Sequence, residues 1–132
     1  VSLSQSEGTS PMAFTVTLSN PVQSGVTLTV NSTPGTATAA DFTGITNGTV
    51  TFPPNSNTAQ TVNVVIANDA LDEGDETFSL TLAGLTATGN VTLGTATATG
   101  TIEDDDATPT LSITSPSQNE GNAGPTPMNF VV

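Results

Sequence analysis

Hydrophobic and polar residues alternate along most of the chain, and a period of two residues predicts β-strands. The apolar residues that would share one strand face form seven sets: Val1 and Leu3; Phe14, Val16 and Leu18; Val26, Leu28 and Val30; Val50 and Phe52; Val62, Val64 and Ile66; Phe78, Leu80 and Leu82; and Ala96, Ala98 and Ile102. No stretch of helical length shows a 3.6-residue period. We therefore predict seven short strands, with Gly100 as a bulge or kink in the last one.

Turn-forming residues separate these strand patterns. They are Asn20-Pro21, Pro34-Gly35, Asn47-Gly48, Pro53-Pro54-Asn55 and Gly89-Asn90. Short strands with turns between them are typical of an antiparallel β-sandwich, in which two sheets pack face to face. The sequence thus predicts an all-β, seven-stranded antiparallel β-sandwich.

The end of the chain repeats its beginning. The motifs Glu7-Gly8, Pro11-Met12 and Phe14 return in the same order as Glu120-Gly121, Pro127-Met128 and Phe130, and Val1-Ser2-Leu3 is echoed by Leu111-Ser112-Ile113. We predict residues 1–107 as one complete unit, residues 108–110 as a short linker, and residues 111–132 as the first strands of a following repeat in a tandem array. Since the chain also starts at Val1, we expect it to be an excerpt of a longer protein.

Residues 111–132 have an alternative interpretation, as a strand exchanged with a neighbouring subunit. These residues duplicate the first strands, which residues 1–18 already supply, so the sequence indicates no obvious place for such a strand.

The chain has 12 acidic residues, no Lys, Arg or His, and a net charge of −12. Without basic residues it lacks the groups that bind nucleic acid or anionic membrane surfaces, and no apolar stretch is long enough for a transmembrane helix. The absence of cysteine excludes disulfides and Cys-based zinc sites. The usual bases and nucleophiles His, Lys, Cys and Tyr are also missing, so we predict that the protein is not an enzyme.

The acidic residues are grouped rather than scattered. They are Glu7; Asp41; Asp69, Asp72, Glu73, Asp75 and Glu76; Glu103, Asp104, Asp105 and Asp106; and Glu120. Carboxylates grouped without basic partners repel one another, whereas a hard divalent cation with oxygen ligands, above all Ca²⁺, relieves that repulsion. The spacing does not fit an EF-hand loop. The alternative is an acidic face that is only solvated.

Several of these groups resemble the Calx-β family, the calcium-binding sandwich domains of sodium–calcium exchangers that also recur in extracellular adhesion proteins and bacterial surface proteins. The resemblance rests on Glu7-Gly8, on Gly35-Thr36-Ala37 leading to Asp41-Phe42, on Asp69 through Phe78, and on Gly100 through Asp106. It implies a seven-stranded, immunoglobulin-like sandwich. It also implies calcium ligands at Glu7, Asp41, Asp69, Glu73, Glu76, Asp104, Asp105 and Asp106.

The chain departs from the family pattern at Asn68-Asp69, where the family often has consecutive aspartates. An amide oxygen would then replace a carboxylate ligand. We expect Asp72 and Asp75 to be solvated or to lie outside the ligand set, Glu103 to face water or join it, and Glu120 to belong to the next repeat.

The combined pattern predicts a calcium-binding structural or adhesive repeat of a long extracellular or cell-surface protein, rigidified by Ca²⁺ at the junction between repeats. Its expected partners are neighbouring repeats or identical subunits, with no nucleic acid and no membrane insertion. One alternative is a subunit of an extracellular filament that assembles by strand exchange or addition. Another is a calcium-sensor domain.

Overall fold

The computed structural model describes residues 2–132, and its seven strands confirm the predicted all-β sandwich. They are β1 (Ser2–Ser6), β2 (Met12–Val16), β3 (Val26–Pro34), β4 (Gly48–Phe52), β5 (Gln60–Val64), β6 (Glu76–Ala87) and β7 (Thr97–Glu103). Val1, predicted to begin the first strand, lies outside the described residues. No helix long and apolar enough to cross a membrane occurs in residues 2–132.

The strands form a five-stranded sheet in the order β1-β7-β6-β3-β4 and a two-stranded sheet of β2 and β5. Every pairing is antiparallel except that of β1 with β7, which is parallel and places Ser6 beside Glu103. A parallel pair needs a long connection. Here the connection between β1 and β7 consists of all the strands that lie between them in the chain. The parallel pairing could therefore not be predicted from local sequence.

The core lies between the two sheets and follows the predicted alternation. In β3, for example, Val26, Leu28 and Val30 are buried while the residues between them are partly exposed. The ring of Phe78 contacts Phe14 edge-on at 5.9 Å and stacks on Phe42 at 4.5 Å between ring centroids. Both geometries are favourable for aromatic pairs.

Gly100 is not the bulge or kink that we predicted. It pairs in register with Phe78, and a Cβ atom at Gly100 would lie 2.5 Å from the Phe78 ring and 3.0 Å from the Met12 sulfur. The glycine therefore makes room for the central aromatic ring. The register shift of this sheet lies elsewhere, between Thr27 and Thr29 where β3 pairs with β6.

Residues 111–132 contain no strand, and nearly all of their side chains are exposed. A single backbone hydrogen bond, from the Thr114 N–H to the Val131 carbonyl, joins the two ends of this segment. Its assignment to a following repeat stays a prediction.

Candidate metal centre

The topology brings the acidic groups to one end of the sandwich, which we call the acidic pole. Because β1 runs parallel to β7, both strands end there, and Glu7 and Asp104–Asp106 follow their last residues. The antiparallel strand β6 begins at the same end, with Glu76 opposite Ile102. The loops that follow β3 and β5 carry Asp41 and residues 69–75 to this pole.

The first cluster consists of Glu7, Asp104 and Asp106, whose ligand-capable oxygens all lie within 4.8 Å of one another. Glu7 is buried, at 8% exposure, and its backbone N–H donates to the Glu103 carbonyl at 3.0 Å. That hydrogen bond extends the β1–β7 pairing by one residue. The position of Glu7 is therefore set by the sheet and not by a free loop.

Each member of the first cluster has one buried side-chain oxygen without a hydrogen-bond partner: Glu7 Oε1, Asp104 Oδ1 and Asp106 Oδ2. A buried polar atom without a partner is costly, and buried carboxylates are normally paired or bound to metal. The chain has no basic side chain to pair with them. These oxygens therefore fit the requirements of a hard cation.

Burial is the main reason that the pKa of Glu7 rises from its ordinary value of 4.5 to about 7, and the neighbouring Asp106 is the next cause. Desolvation and negative neighbours both disfavour a charged carboxylate. A cation bound at the cluster would reverse this preference, because it favours the charged form.

The second cluster consists of Asp41, Glu73 and Glu76, whose oxygens also lie within 4.8 Å of one another. Thr38 orients Asp41: its backbone N–H and its hydroxyl donate to Asp41 Oδ2 at 2.6 and 2.8 Å. The Thr38 backbone hydrogen bond is the main cause that lowers the pKa of Asp41. Partial desolvation and nearby carboxylates raise the pKa of Glu73 and Glu76.

Both clusters border one small cavity of about 10 Å³, lined by Glu7, Asp41, Glu73, Gly74, Glu76, Ile102 and Asp104. A cavity of this size holds about one water-sized sphere. The two clusters are therefore neighbours in a single carboxylate centre, with room for an ion between them.

The clusters include all the predicted ligands except Asp69 and Asp105. Asp69 lies in the loop before β6, where its Oδ1 accepts from the Leu71 N–H at 2.8 Å. Asp105 is exposed and accepts from the Ser6 hydroxyl. Both nevertheless add negative charge near Glu7.

The remaining acidic residues lie outside the clusters. Asp72, Asp75, Glu103 and Glu120 are exposed. Asp72 accepts from the Thr108 hydroxyl at 3.3 Å, and Glu103 accepts from the Ser4 hydroxyl. Asn68, which precedes Asp69, points its side-chain N–H at the Asp69 carbonyl at 3.0 Å.

Sequence reasoning missed the role of Thr38, which holds an Asp41 oxygen in place. The signal was present, since a threonine three residues before an aspartate is a common local hydrogen-bonding pair. Such pairs are frequent in turns, so the sequence could not show that this one serves a carboxylate cluster.

Comparison with known proteins agrees with this geometry. The family model described as "Calx-beta domain" matches residues 2–106. Among solved structures, the apo form of the Calx CBD1 domain is 24% identical, with a TM-score of 0.70 over 80% of this chain and 91% of that one. The Calx CBD2 domain is 15% identical, with a TM-score of 0.65 over 79% of this chain and 82% of that one.

A longer structure, the "calcium binding domain CBD12 of CALX1.1", is 24% identical with a TM-score of 0.70. The match covers 80% of this chain but only 43% of that structure, so this chain spans less than half of its length. No curated protein sequence matches the chain.

Proposed function

We propose a function from one premise: the chain belongs to the Calx-beta domain family. Residues 2–106 form a calcium-binding module that serves as a structural or adhesive repeat of a longer extracellular or cell-surface protein. The observation that carries the proposal is the cluster of Glu7, Asp104 and Asp106, whose ligand-capable oxygens lie within 4.8 Å of one another and each of which has one buried oxygen without a hydrogen-bond partner. The relationship to a structure described as a calcium binding domain adds support.

Glu7, Asp104 and Asp106 are the residues that we expect to bind the ion most directly, because their oxygens are buried and close together. Asp41, Glu73 and Glu76 provide a second set beside the same cavity. Bound Ca²⁺ supplies the positive charge that these carboxylates lack and takes six to eight oxygen ligands. Asp69 and Asp105, whose charges act on Glu7, are the candidates for further ligands.

The position of Asp104–Asp106 connects the site to mechanics. These residues directly follow β7 and precede the stretch Ala107-Thr108-Pro109 that leads to the repeated segment. Holding Asp104 and Asp106 against Glu7 fixes the direction in which the chain leaves the sandwich. Without the ion, repulsion between carboxylates loosens this exit. The module therefore stiffens a junction between repeats when calcium is present.

One feature of the chain supports an extracellular setting, the duplication of its opening motifs in residues 111–132, which is typical of tandem arrays. Extracellular calcium modules bind the ion with a Kd of about 10⁻⁴–10⁻³ M, and we expect this site to fall in that range. Neighbouring repeats of the same protein are then the natural partners.

The test is calorimetric titration of Ca²⁺ into the full chain, with thermal unfolding measured in parallel in EDTA and in Ca²⁺. At a calcium concentration of about 100 Kd, binding to the folded state adds about 2.7 kcal/mol to the free energy of unfolding. For a domain of this size we expect the melting temperature to rise by about 10–20 °C.

The matched control is the double variant Asp72→Asn/Asp75→Asn, which removes two exposed charges outside the clusters and should keep the calcium-dependent rise. Glu7→Gln/Asp106→Asn removes the same number of charges and should abolish it. An equal melting temperature for the wild-type chain in EDTA and in millimolar Ca²⁺ would contradict the proposal.

A further inference from the structure

The two carboxylate clusters are held in place in different ways. In the first cluster, the sheet fixes Glu7, because its N–H continues the β1–β7 pairing. In the second cluster, Asp41 lies in the long loop between β3 and β4, beyond the end of β3 at Pro34. Loops are generally more mobile than strands. Interactions other than strand pairing must therefore keep Asp41 beside Glu76.

The loop begins by wrapping around Thr77, the second residue of β6. The Thr77 carbonyl accepts two hydrogen bonds, from the N–H groups of Gly35 and Ala37, each at 3.0 Å. The Thr77 N–H donates to the Thr36 hydroxyl at 2.8 Å. The pairing of β3 with β6 ends at Pro34. Beyond that point, the Thr36 hydroxyl supplies the acceptor that a continuing strand would have provided.

Gly35 allows this close contact with β6. A Cβ atom at position 35 would lie 2.6 Å from the Thr77 carbonyl oxygen and 2.8 Å from its hydroxyl oxygen. Any larger residue would therefore push the loop away from β6. Ala37 adds a second anchor, since it is buried in the core at 1% exposure. The loop is thus fixed to β6 directly beside Glu76.

The other side of Asp41 is anchored as well. Its carbonyl accepts from the Ala67 N–H at 2.8 Å, and the neighbouring Phe42 is buried and stacks on Phe78. These contacts place the Asp41 backbone between β6 and the segment that follows β5. They do not fix the rotation of its carboxylate.

Thr38 fixes the carboxylate. Its backbone N–H and its hydroxyl both donate to Asp41 Oδ2, at 2.6 and 2.8 Å. The same hydroxyl accepts from the Ala40 N–H at 3.1 Å, which leaves its proton for the carboxylate. A carboxylate has about four lone-pair sites on its two oxygens, and two hydrogen bonds occupy those of Oδ2. Oδ1 is therefore the oxygen that remains for a cation.

We propose that Thr36 and Thr38 are positioning residues of the calcium centre. Thr36 holds the loop on β6, and Thr38 orients Asp41 so that Oδ1 is presented to the ion. Neither hydroxyl is itself a ligand. The inference rests on the proposed function, because it takes the carboxylate centre to bind Ca²⁺. Groups that orient metal ligands commonly change metal affinity by about 10–100-fold when they are substituted.

Calorimetric titration of Ca²⁺ into variants of the full chain tests these roles. Thr38→Val keeps the shape of the side chain but removes the hydroxyl, and it should weaken binding about tenfold. Thr36→Val should weaken it about threefold or more, because the loop that carries Asp41 loses its contact with β6. Thr38→Ser and Thr36→Ser restore the hydroxyl and should restore the affinity.

The matched control is Thr86→Val. It removes a hydroxyl that donates to the Gly84 carbonyl at 3.4 Å, at the far end of the same strand β6. This variant loses the same kind of group and should bind Ca²⁺ like wild type. An equal loss of affinity in Thr86→Val and Thr38→Val overturns the proposal, since the effect would then reflect stability alone.

A double-mutant cycle shows whether Thr38 acts through Asp41. The calcium-dependent rise in melting temperature is measured for wild type, Thr38→Val, Asp41→Ala and the double variant. Thr38→Val should reduce the rise in the wild-type background and leave it unchanged in the Asp41→Ala background. The same reduction in both backgrounds overturns the role of Thr38, because it would then act without the carboxylate.

Amide hydrogen exchange in EDTA examines the loop without any ion. In wild type the Thr77 N–H should be protected by the Thr36 hydroxyl. Thr36→Val should speed its exchange about tenfold or more, whereas Thr86→Val should not. A Thr77 amide that exchanges in wild type as fast as an unprotected one overturns the role of Thr36.

The outcomes separate this inference from the function on which it rests. A wild-type chain that binds no Ca²⁺ overturns the proposed function and the positioning roles together. Wild-type binding with unchanged affinity in both valine variants overturns the positioning roles and leaves the calcium site standing.

Discussion

The two ends of the sandwich are built from the same strands but are stabilised differently. At the end opposite the acidic pole, the loops between β2 and β3, β4 and β5, and β6 and β7 contain no Asp or Glu. Hydrogen bonds join these loops: the Asn55 N–H donates to the Val22 carbonyl at 2.7 Å, and the Ser24 hydroxyl donates to the Thr88 carbonyl at 2.9 Å. We call this end the neutral pole.

At the acidic pole, by contrast, carboxylates face one another and three of their buried oxygens have no hydrogen-bond partner. The loops of the neutral pole are therefore joined by hydrogen bonds within the chain, whereas the carboxylates of the acidic pole have no positive charge to pair with. The comparison teaches that carboxylates held together by a well-paired sheet, with no positive charge beside them, are informative about a cation site. The sheet holds Glu7 beside Asp104 and Asp106 although nothing in the protein compensates for their repulsion.

The largest effect should come from the core that supports both poles. Phe78→Ala removes the ring that contacts Phe14 and Phe42 and should lower the free energy of unfolding by about 3–5 kcal/mol. Because the defect lies between the poles, urea unfolding should show the same loss in EDTA and in Ca²⁺. A loss seen in only one condition would mean that the core and the carboxylate centre are coupled.

The next largest effect should distinguish the acidic pole from the neutral pole, because it should depend on Ca²⁺. In Ca²⁺, Glu7→Gln/Asp106→Asn should lower the free energy of unfolding by about 2–3 kcal/mol through lost binding. In EDTA the same variant should be more stable than wild type, since it removes repulsion and desolvated charge. Urea midpoints measure both values. The same sign in both conditions would count against a cation site, and Asp72→Asn/Asp75→Asn should stay within about 0.5 kcal/mol.

An effect of similar size is expected from pH in the metal-free chain. The pKa of Glu7 in the folded state is raised from 4.5 to about 7, so the folded state binds more protons than the unfolded state between these values. Stability must then fall as pH rises from about 4.5 to about 7. Glu73 and Glu76 act in the same direction, whereas the lowered pKa of Asp41 acts in the opposite direction at lower pH.

Thermal unfolding in EDTA across this pH range measures the slope. Glu7→Gln should flatten it, because the main titrating group is gone. Saturating Ca²⁺ should also flatten or reverse it, since binding favours charged carboxylates. A wild-type chain whose stability in EDTA rises with pH throughout the range would refute the assignment.

The smallest effect belongs to the neutral pole. Asn55 has a φ of 60°, in the left-handed region that asparagine tolerates better than alanine. Asn55→Ala should therefore lower the free energy of unfolding by about 1 kcal/mol. The loss should be equal with and without Ca²⁺ and should leave calcium affinity unchanged in calorimetry. A change in affinity would show that the two poles communicate.

Local pattern predicted the strands because side chains of a half-buried strand must alternate. The sets around Leu28, Val50 and Leu80 lie entirely in observed strands, whereas in the set around Val62 the last member, Ile66, lies beyond β5 in an isolated bridge with Phe42. Glycine was harder to interpret. A strand glycine signals either a bulge or a close approach, and only the position of the Phe78 ring shows that Gly100 is the second case.

For the candidate site, grouping of acidic residues identified the participants but not their division into clusters. Glu7 meets Asp106 only because β1 and β7 pair in parallel across almost the whole domain, and nothing near either residue encodes that contact. Asp69 and Asp105 belong to the same acidic groups of the sequence as their neighbours, yet both lie outside the two clusters. The assignment of all eight residues as ligands stays a prediction.

By itself, the sequence determined the all-β class, the duplicated opening motifs and an excess of carboxylate without any basic partner. These properties are local or additive, since periodicity, repetition and charge do not depend on which strands become neighbours. The tertiary structure alone decided which carboxylates share a cavity, and it alone shows that Gly100 makes room for the Phe78 ring. Those features depend on contacts between residues distant in the chain, whose register is set by the packing of the whole sandwich.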